Sequence, residues 1–158
     1  MSILLALALQ VTPTPPLPKA QPLPPPDAET AAVLAPIERM FAALTAKDSA
    51  QILAQTRPEG RATAVLTLPD GTRAMRTRTW TDFAVGLKDG PSRLEERLVN
   101  PVVDIDGDIA MVWSSYVFLI DGKVSHCGTD HFDMVRGTDG WKVLNITWTQ
   151  RQKDCPAG

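Results

Sequence analysis

The sequence lacks a charge excess of either sign: 16 lysines and arginines stand against 18 aspartates and glutamates, a formal net charge of −2 over 158 residues. Nucleic acid is therefore not an expected partner, since a polyanion is held by a basic surface. No apolar run approaches the roughly 20 residues that a helix needs to cross a bilayer, so no membrane span is expected. No glycine-rich loop precedes a helix to cradle a phosphate, and no nucleophile elbow is present. Cysteine is scarce. Cys127 and Cys155 are the only two, and neither has a base fixed beside it, which argues against a catalytic thiol. In an oxidising compartment they are free to pair, since the tail carrying Cys155 has room to fold back towards Cys127. A disulfide and two unrelated thiols both fit the sequence.

What is present has the composition of one soluble domain, 44% apolar and 22% charged, preceded by a different N-terminal stretch. Residues 1–12 read as a signal peptide, with the apolar run Ile3 to Leu9 and the small residues Ala6 and Ala8 near a cleavage site. Periplasmic or secreted localisation is the expectation; the alternative is an apolar tail on a cytoplasmic protein. Residues 13–26 carry Pro13, Pro15, Pro16, Pro18, Pro22, Pro24, Pro25 and Pro26. Each proline removes an amide donor and fixes φ, so this stretch reads as an extended tether. The domain spans 27–152, and 153–158 form a short tail.

Asp27 before Ala28-Glu29-Thr30 is an N-cap with an acidic first turn. Val33, Leu34, Ile37, Met40, Phe41 and Leu44 then recur at helical spacing, with Pro36 expected to bend the helix or delay its regular part. Asp48 or Ser49 caps a second, short helix. Ala62 to Leu68 and Arg73 to Arg78 form a hairpin across Pro69-Asp70-Gly71-Thr72. Thr79 and Asp82 resemble a capping box for a third helix ending near Gly90. Three turns, at Asp106-Gly107-Asp108, Asp121-Gly122-Lys123 and Thr138-Asp139-Gly140, separate four long strands from Leu94 to Gln150. Pro101 in the first of these suggests an edge or a bulge. Arg93, Glu95, Glu96 and Arg97 read as a solvated strand edge.

This order, with Trp113, Tyr116-x-Phe118-x-x-Asp121-Gly122-Lys123-x-x-His126-Cys127-Gly128-x-Asp130-x-Phe132 and Gly140-Trp141-Lys142, resembles the nuclear transport factor 2-like superfamily. Within it, the pattern is similar to a small bacterial lumazine-binding-like branch. The resemblance covers about Ala28 to Arg151. It implies an α+β cone-shaped barrel, a curved antiparallel sheet with about three helices closing one face around a pocket, commonly in a dimer. It implies no single chemistry, because the superfamily holds isomerases, dehydratases, polyketide cyclases and non-catalytic binders.

Strand alternation sorts the motif into two rows. Pairing across the two turns puts Ser114, Tyr116, Phe118, His126, Gly128, Asp130, Phe132, Asn145 and Thr147 on one face. Aromatics, a few polar groups and a glycine suit the wall of a pocket for a small apolar or aromatic molecule. The other row holds Trp113, Val117, Leu119, Leu144, Ile146 and Trp148, too apolar to leave in water, and is the expected homodimer face. A one-residue bulge exchanges the rows.

His126 and Asp130 are the tempting acid and base, yet four residues along a strand separate them by about 13 Å, which rules out direct contact in a straight strand. They would flank a ligand over Gly128, whose missing side chain opens space, with Tyr116 as a third polar group. In an enzyme of the ketosteroid-isomerase type, Asp130 would abstract a proton while Tyr116 or His126 stabilised the oxyanion. The sequence shows no second pocket acid for that pattern. The bland alternative is that these are satisfied polar groups in a binding or structural protein. No metal site is expected, since alternation sends His126 and Asp130 to one face and Cys127 and His131 to the other. No cofactor is implied. An exported small-molecule-binding domain is the leading expectation; an isomerase, dehydratase or cyclase, and a homodimeric structural module, are the alternatives.

Overall fold

The computed structural model describes residues 27–68, 70–87 and 90–156. Residues 1–26, where a signal peptide and a proline tether are expected, lie outside the described residues.

Helix α1 spans Ala28–Ala46; the Asp27 carboxylate accepts the Thr30 amide at 2.7 Å, and Lys47 ends the helix in the left-handed region. Both features follow from the orphan amides and carbonyls of helix ends. The predicted stripe buries Val33, Leu34, Ile37, Met40 and Leu44, and the helix runs through Pro36, which is itself buried. Asp48 caps α2, Ser49–Ala54, by accepting the Gln51 amide at 3.0 Å. Thr79 accepts the Asp82 amide and donates to its carboxylate, which starts α3 at Trp80–Val85. The capping box ends in a shorter helix than expected, because Gly86 closes it before Gly90.

The strands are β1 Arg61–Thr67, β2 Arg73–Thr79, β3 Leu94–Asp106, β4 Ile109–Ile120, β5 Lys123–Gly137 and β6 Gly140–Gln150. Their order across the sheet is β2-β1-β6-β5-β4-β3. The fold is α+β, as expected, with two differences. The sheet is mixed, since β6 returns from the meander to lie parallel to β1. It is also not closed: β2 and β3 remain as edges. Three helices cover its concave face, where Val33, Ile37, Trp80, Val112, Phe132 and Val143 form one buried cluster. Side chains of this size each contribute about 1.5–3 kcal/mol on burial.

Three register shifts set which residues face that interior. Asn100 and Pro101 bulge out of edge strand β3, with Asn100 at a φ of 53°. Ser125 is the extra residue in β5 near the second turn. Leu144 is the extra residue in β6, between the pairs Asp133 with Asn145 and Met134 with Val143. Its carbonyl, free of the ladder there, accepts the Trp80 indole N–H at 2.9 Å. Each shift inverts the alternation on one strand and leaves its partner unchanged.

Candidate functional site

Between α1, α3 and the concave face lies a cavity of about 180 Å³. Leu44 of α1, Phe83 of α3 and the nearby Leu87 form one wall. The sheet supplies Glu96, Tyr116, Phe118, His126, Ile146, Trp148 and Gln150. Tyr116, Phe118 and His126 are residues that alternation had placed together, and between β4 and β5 the register is the expected one: Phe118 pairs with His126 and Tyr116 with Gly128. The Phe118 and His126 rings stack with centroids 4.6 Å apart, and Tyr116 meets the imidazole edge-on at 5.9 Å.

On β6 the expected row is reversed. The Leu144 bulge pairs Asp130 with Trp148 and Phe132 with Ile146, so Ile146 and Trp148 line the cavity and are not a dimer face. Asn145 and Thr147 point the other way. The Asn145 amide accepts the Arg61 N–H at 2.9 Å and donates to Asp133 at 3.0 Å. Of the other residues expected on an outer face, Val117 and Leu119 are already buried within the single chain. Leu144 is half-buried at the bulge, and Trp113 alone of the group is exposed.

Three further expectations change. Gly128 does not open room for a ligand: a Cβ there would lie 1.9 Å from the Thr149 carbonyl oxygen and 2.8 Å from Tyr116 Cε1. The absent side chain instead lets β6 and the tyrosine ring close over the strand, and the Tyr116 hydroxyl donates to the Thr149 carbonyl at 3.0 Å. Ser114 is buried and serves the β3 bulge, accepting the Val99 amide at 3.1 Å. Phe132 belongs to the core, tilted against Phe41 at 6.2 Å.

Asp130 is fully buried, and neither carboxylate oxygen has a hydrogen-bond donor among the described residues when the group is ionised. An isolated buried carboxylate costs several kcal/mol, so the group stays protonated or finds a partner. The partner is Glu96, on the far side of β4. Burial first, then the Glu96 charge and the hydrogen bond to it, hold the Asp130 pKa well above the carboxylate range. Burial pushes Glu96 up to about 7, and its hydrogen bond with Asp130 pulls the other way. These opposite signs describe an Asp130 carboxylic acid donating to a Glu96 carboxylate, two acids sharing one proton. Burial, with the two carboxyls next, also raises the Tyr116 phenol. Burial lowers His126, which favours the neutral ring at pH 7.

Glu96 is thus the second pocket acid that the sequence reading missed. The signal was there: Leu94-x-Glu96-x-Leu98 alternates, which sets Glu96 on the apolar row, while Glu95 turns outward to pair with Arg93 and Arg97 at 3.2 and 2.6 Å. His126 and Asp130 each have a different neighbour, His126 the Ser125 hydroxyl at 3.3 Å and Asp130 the Glu96 carboxyl. Cys127 and Cys155 are disulfide-bonded, with Cα atoms 5.6 Å apart. Among the described residues, no three His, Cys, Asp or Glu side chains converge on a metal-sized site. No described helix is long and apolar enough to cross a membrane.

No protein-family profile matches the chain. No curated protein sequence matches it. Solved structures do. A nuclear transport factor 2-like superfamily protein of Salmonella enterica serovar Typhimurium matches with a TM-score of 0.61 at 15% identity, over 81% of this chain and 96% of that one. A nuclear transport factor 2-like protein from Cytophaga hutchinsonii gives 0.60 at 13% identity, over 77% and 97% of the two chains. A cystatin-like-fold protein of Nostoc punctiforme gives 0.62 at 11% identity, over 80% and 94%. The chain therefore has the nuclear transport factor 2-like fold, and likeness at these identities carries the fold alone.

Proposed function

We propose that this domain binds a small apolar or aromatic molecule in the cavity between its helices and its concave sheet face. The observation that carries the reading is the lining. Glu96 is the one acidic side chain in a wall otherwise made largely of Phe83, Tyr116, Phe118, Trp148 and aliphatic groups. Aromatic faces supply contact area, and a single convergent polar group fixes orientation. The ligand's body lies on Phe83, Phe118 and Trp148, and one of its polar groups hydrogen-bonds to Glu96. The test is a thermal-shift and calorimetric screen against apolar and aromatic metabolites, run beside Glu96→Gln, His126→Ala and Trp148→Ala. Hits should weaken by tenfold or more in at least Glu96→Gln or Trp148→Ala. Hits unaffected by all three changes would remove the cavity from consideration.

A second reading, an isomerase, dehydratase or cyclase working by proton transfer, is favoured by the Glu96 carboxyl titrating at about 7 in an apolar wall. In that case the base is Glu96 and not Asp130, whose carboxylate oxygens are sealed from the cavity. The reading requires enzyme-catalysed deuterium exchange at the α-carbon of an enolisable ketone, lost in Glu96→Gln while the fold persists.

We also propose export to an oxidising compartment, supported by the Cys127–Cys155 disulfide. Osmotic-shock release of the expressed protein tests it; retention in the spheroplast fraction would count against it. Homodimerisation through the convex face is supported by exposed Val102, Met111 and Trp113.

A further inference from the structure

A second cavity, of about 150 Å³, adjoins the first and shares Phe83, Trp148 and Gln150 with it. Its far side is different in character. There β2, an edge strand, carries Arg76 and Arg78 opposite Ala64 and Ala62 of β1, and both arginines line the cavity. Ala62 and Ala64 are buried, so this row of the hairpin faces the helices. The hairpin thus inverts the usual arrangement. On β2 the guanidinium groups lie on the cavity side, and Met75, 73% exposed, lies on the other. The small side chains of Ala62 and Ala64 leave the space that the two long side chains border. Among the described residues neither guanidinium forms an ion pair. Asp82, the acid on nearby α3, is hydrogen-bonded to Thr79.

Inward-pointing charge is also a way to protect an edge strand from pairing with another chain. Edge protection alone does not call for an aromatic-walled space beside the charges. Here the two arginines border a space whose opposite wall is the Phe83 and Trp148 surface of the first cavity. Guanidinium groups recognise carboxylate, sulfonate or phosphate through paired N–H donors, and both arginines, exposed at the rim of the cavity, are open to such a group.

We propose that the ligand is an organic anion, its apolar or aromatic body against the edge-to-face pair Phe83 and Trp148 and its terminal anionic group on Arg76 and Arg78. The proposal rests on the reading of the first cavity as a ligand site and adds the charge of the molecule and its direction. The uncharged end enters towards Glu96, and the acid group stays at the β2 side. That direction keeps the anion away from the Glu96–Asp130 pair, which would repel it.

The experiment is calorimetric titration of the domain with 1-naphthaleneacetate and with its neutral isostere 1-naphthaleneacetamide. In wild type the acetate should bind at least tenfold more tightly, and the difference should shrink in 0.5 M salt. In the double variant Arg76→Gln/Arg78→Gln the acetate should fall to the level of the acetamide, whose own affinity stays within twofold. Trp148→Ala should weaken both. If the acetamide binds and the acetate binds no better, or if the double variant keeps the preference, the anion site is wrong and the cavity reading stands. If neither compound binds, both readings fall. Unchanged thermal melting of the double variant separates a lost site from a lost fold.

Discussion

Asp130 and Glu96 reach each other from strands on opposite sides of β4, one a fully buried carboxylic acid and the other the cavity-facing group that accepts its hydrogen bond. Two carboxyls this close in a dry interior cannot both ionise without a large cost. They lie 34 positions apart in the sequence, in unlike surroundings. Curvature of the sheet brings them together.

That pair fixes the sign of a pH dependence. Unfolded carboxyls titrate near pH 4, whereas Glu96 in the fold titrates at about 7 and Asp130 well above its ordinary value. Between these limits the folded state holds more protons than the unfolded chain, so stability is full below about pH 4 and declines as pH rises through 7. For Glu96 alone the decline is on the order of 3 kcal/mol. Glu96→Gln should therefore be close to neutral at pH 5 and stabilising relative to wild type at pH 8, where it avoids the buried charge, and Asp130→Asn should flatten the profile further. Urea denaturation at the two pH values measures this. Equal slopes in wild type and both variants would mean the carboxyls do not share a proton.

Gly128 offers a sharper mechanical test. A methyl group there meets backbone, the Thr149 carbonyl, as well as the Tyr116 ring, and neither can withdraw cheaply. Gly128→Ala should cost about 3 kcal/mol or more and should break the Tyr116 to Thr149 hydrogen bond. At Gly86 the nearest atom to an added Cβ, at 3.2 Å, is the flexible tip of Arg78. Gly86→Ala should stay within about 1 kcal/mol. Thermal melts of the two variants side by side decide between crowding and a general glycine effect.

The contrast between these glycines also shows what was legible in the sequence. Element order, the caps at Asp27, Asp48 and Thr79, and the β4 to β5 register followed from local rules, because turns such as Asp121-Gly122 fix pairing over short distances. A proline predicted the β3 bulge. The bulge at Leu144 has no such marker: nothing in Val143-Leu144-Asn145 signals an extra residue, and its cause is tertiary, the Trp80 indole bonded to its carbonyl. That single shift moved Ile146 and Trp148 into the cavity and Asn145 and Thr147 out of it. Glu96 was hidden for another reason. Its charged neighbours suggested an exposed run, although the alternating Leu94 and Leu98 placed it inside.

On the convex face, Val102 and Trp113 sit opposite one another in the β3–β4 ladder and are 60% and 52% exposed. Apolar surface of this kind is stabilised by cover, so the proposed dimer should depend on it. Trp113→Lys should give a monomer by light scattering at a concentration where wild type is dimeric, with melting of the single domain little changed. A monomeric wild type at all concentrations would count against the interface.

The disulfide closes the other end of the molecule. Cys127 and Arg151 exchange backbone hydrogen bonds at 2.9 and 3.0 Å, which continues the β5–β6 pairing past Gln150, and Cys155 then ties the tail to Cys127. The loop between the cysteines spans 28 positions. Chain-entropy arguments give its closure about 3.5 kcal/mol. Cys155→Ser should lose about that much, and reduction of wild type with dithiothreitol should match it. Cys127→Ser should lose more, because Cys127 is buried and a serine there carries a hydroxyl into an apolar site. Hydrogen exchange locates the effect. In Cys155→Ser the Arg151 amide should lose protection while those of Trp148 and Ile146 keep it, since the parallel pairing to β1 holds these residues independently of the tail. Uniform loss of protection across β6 would show that the bond supports the whole strand and not its end alone.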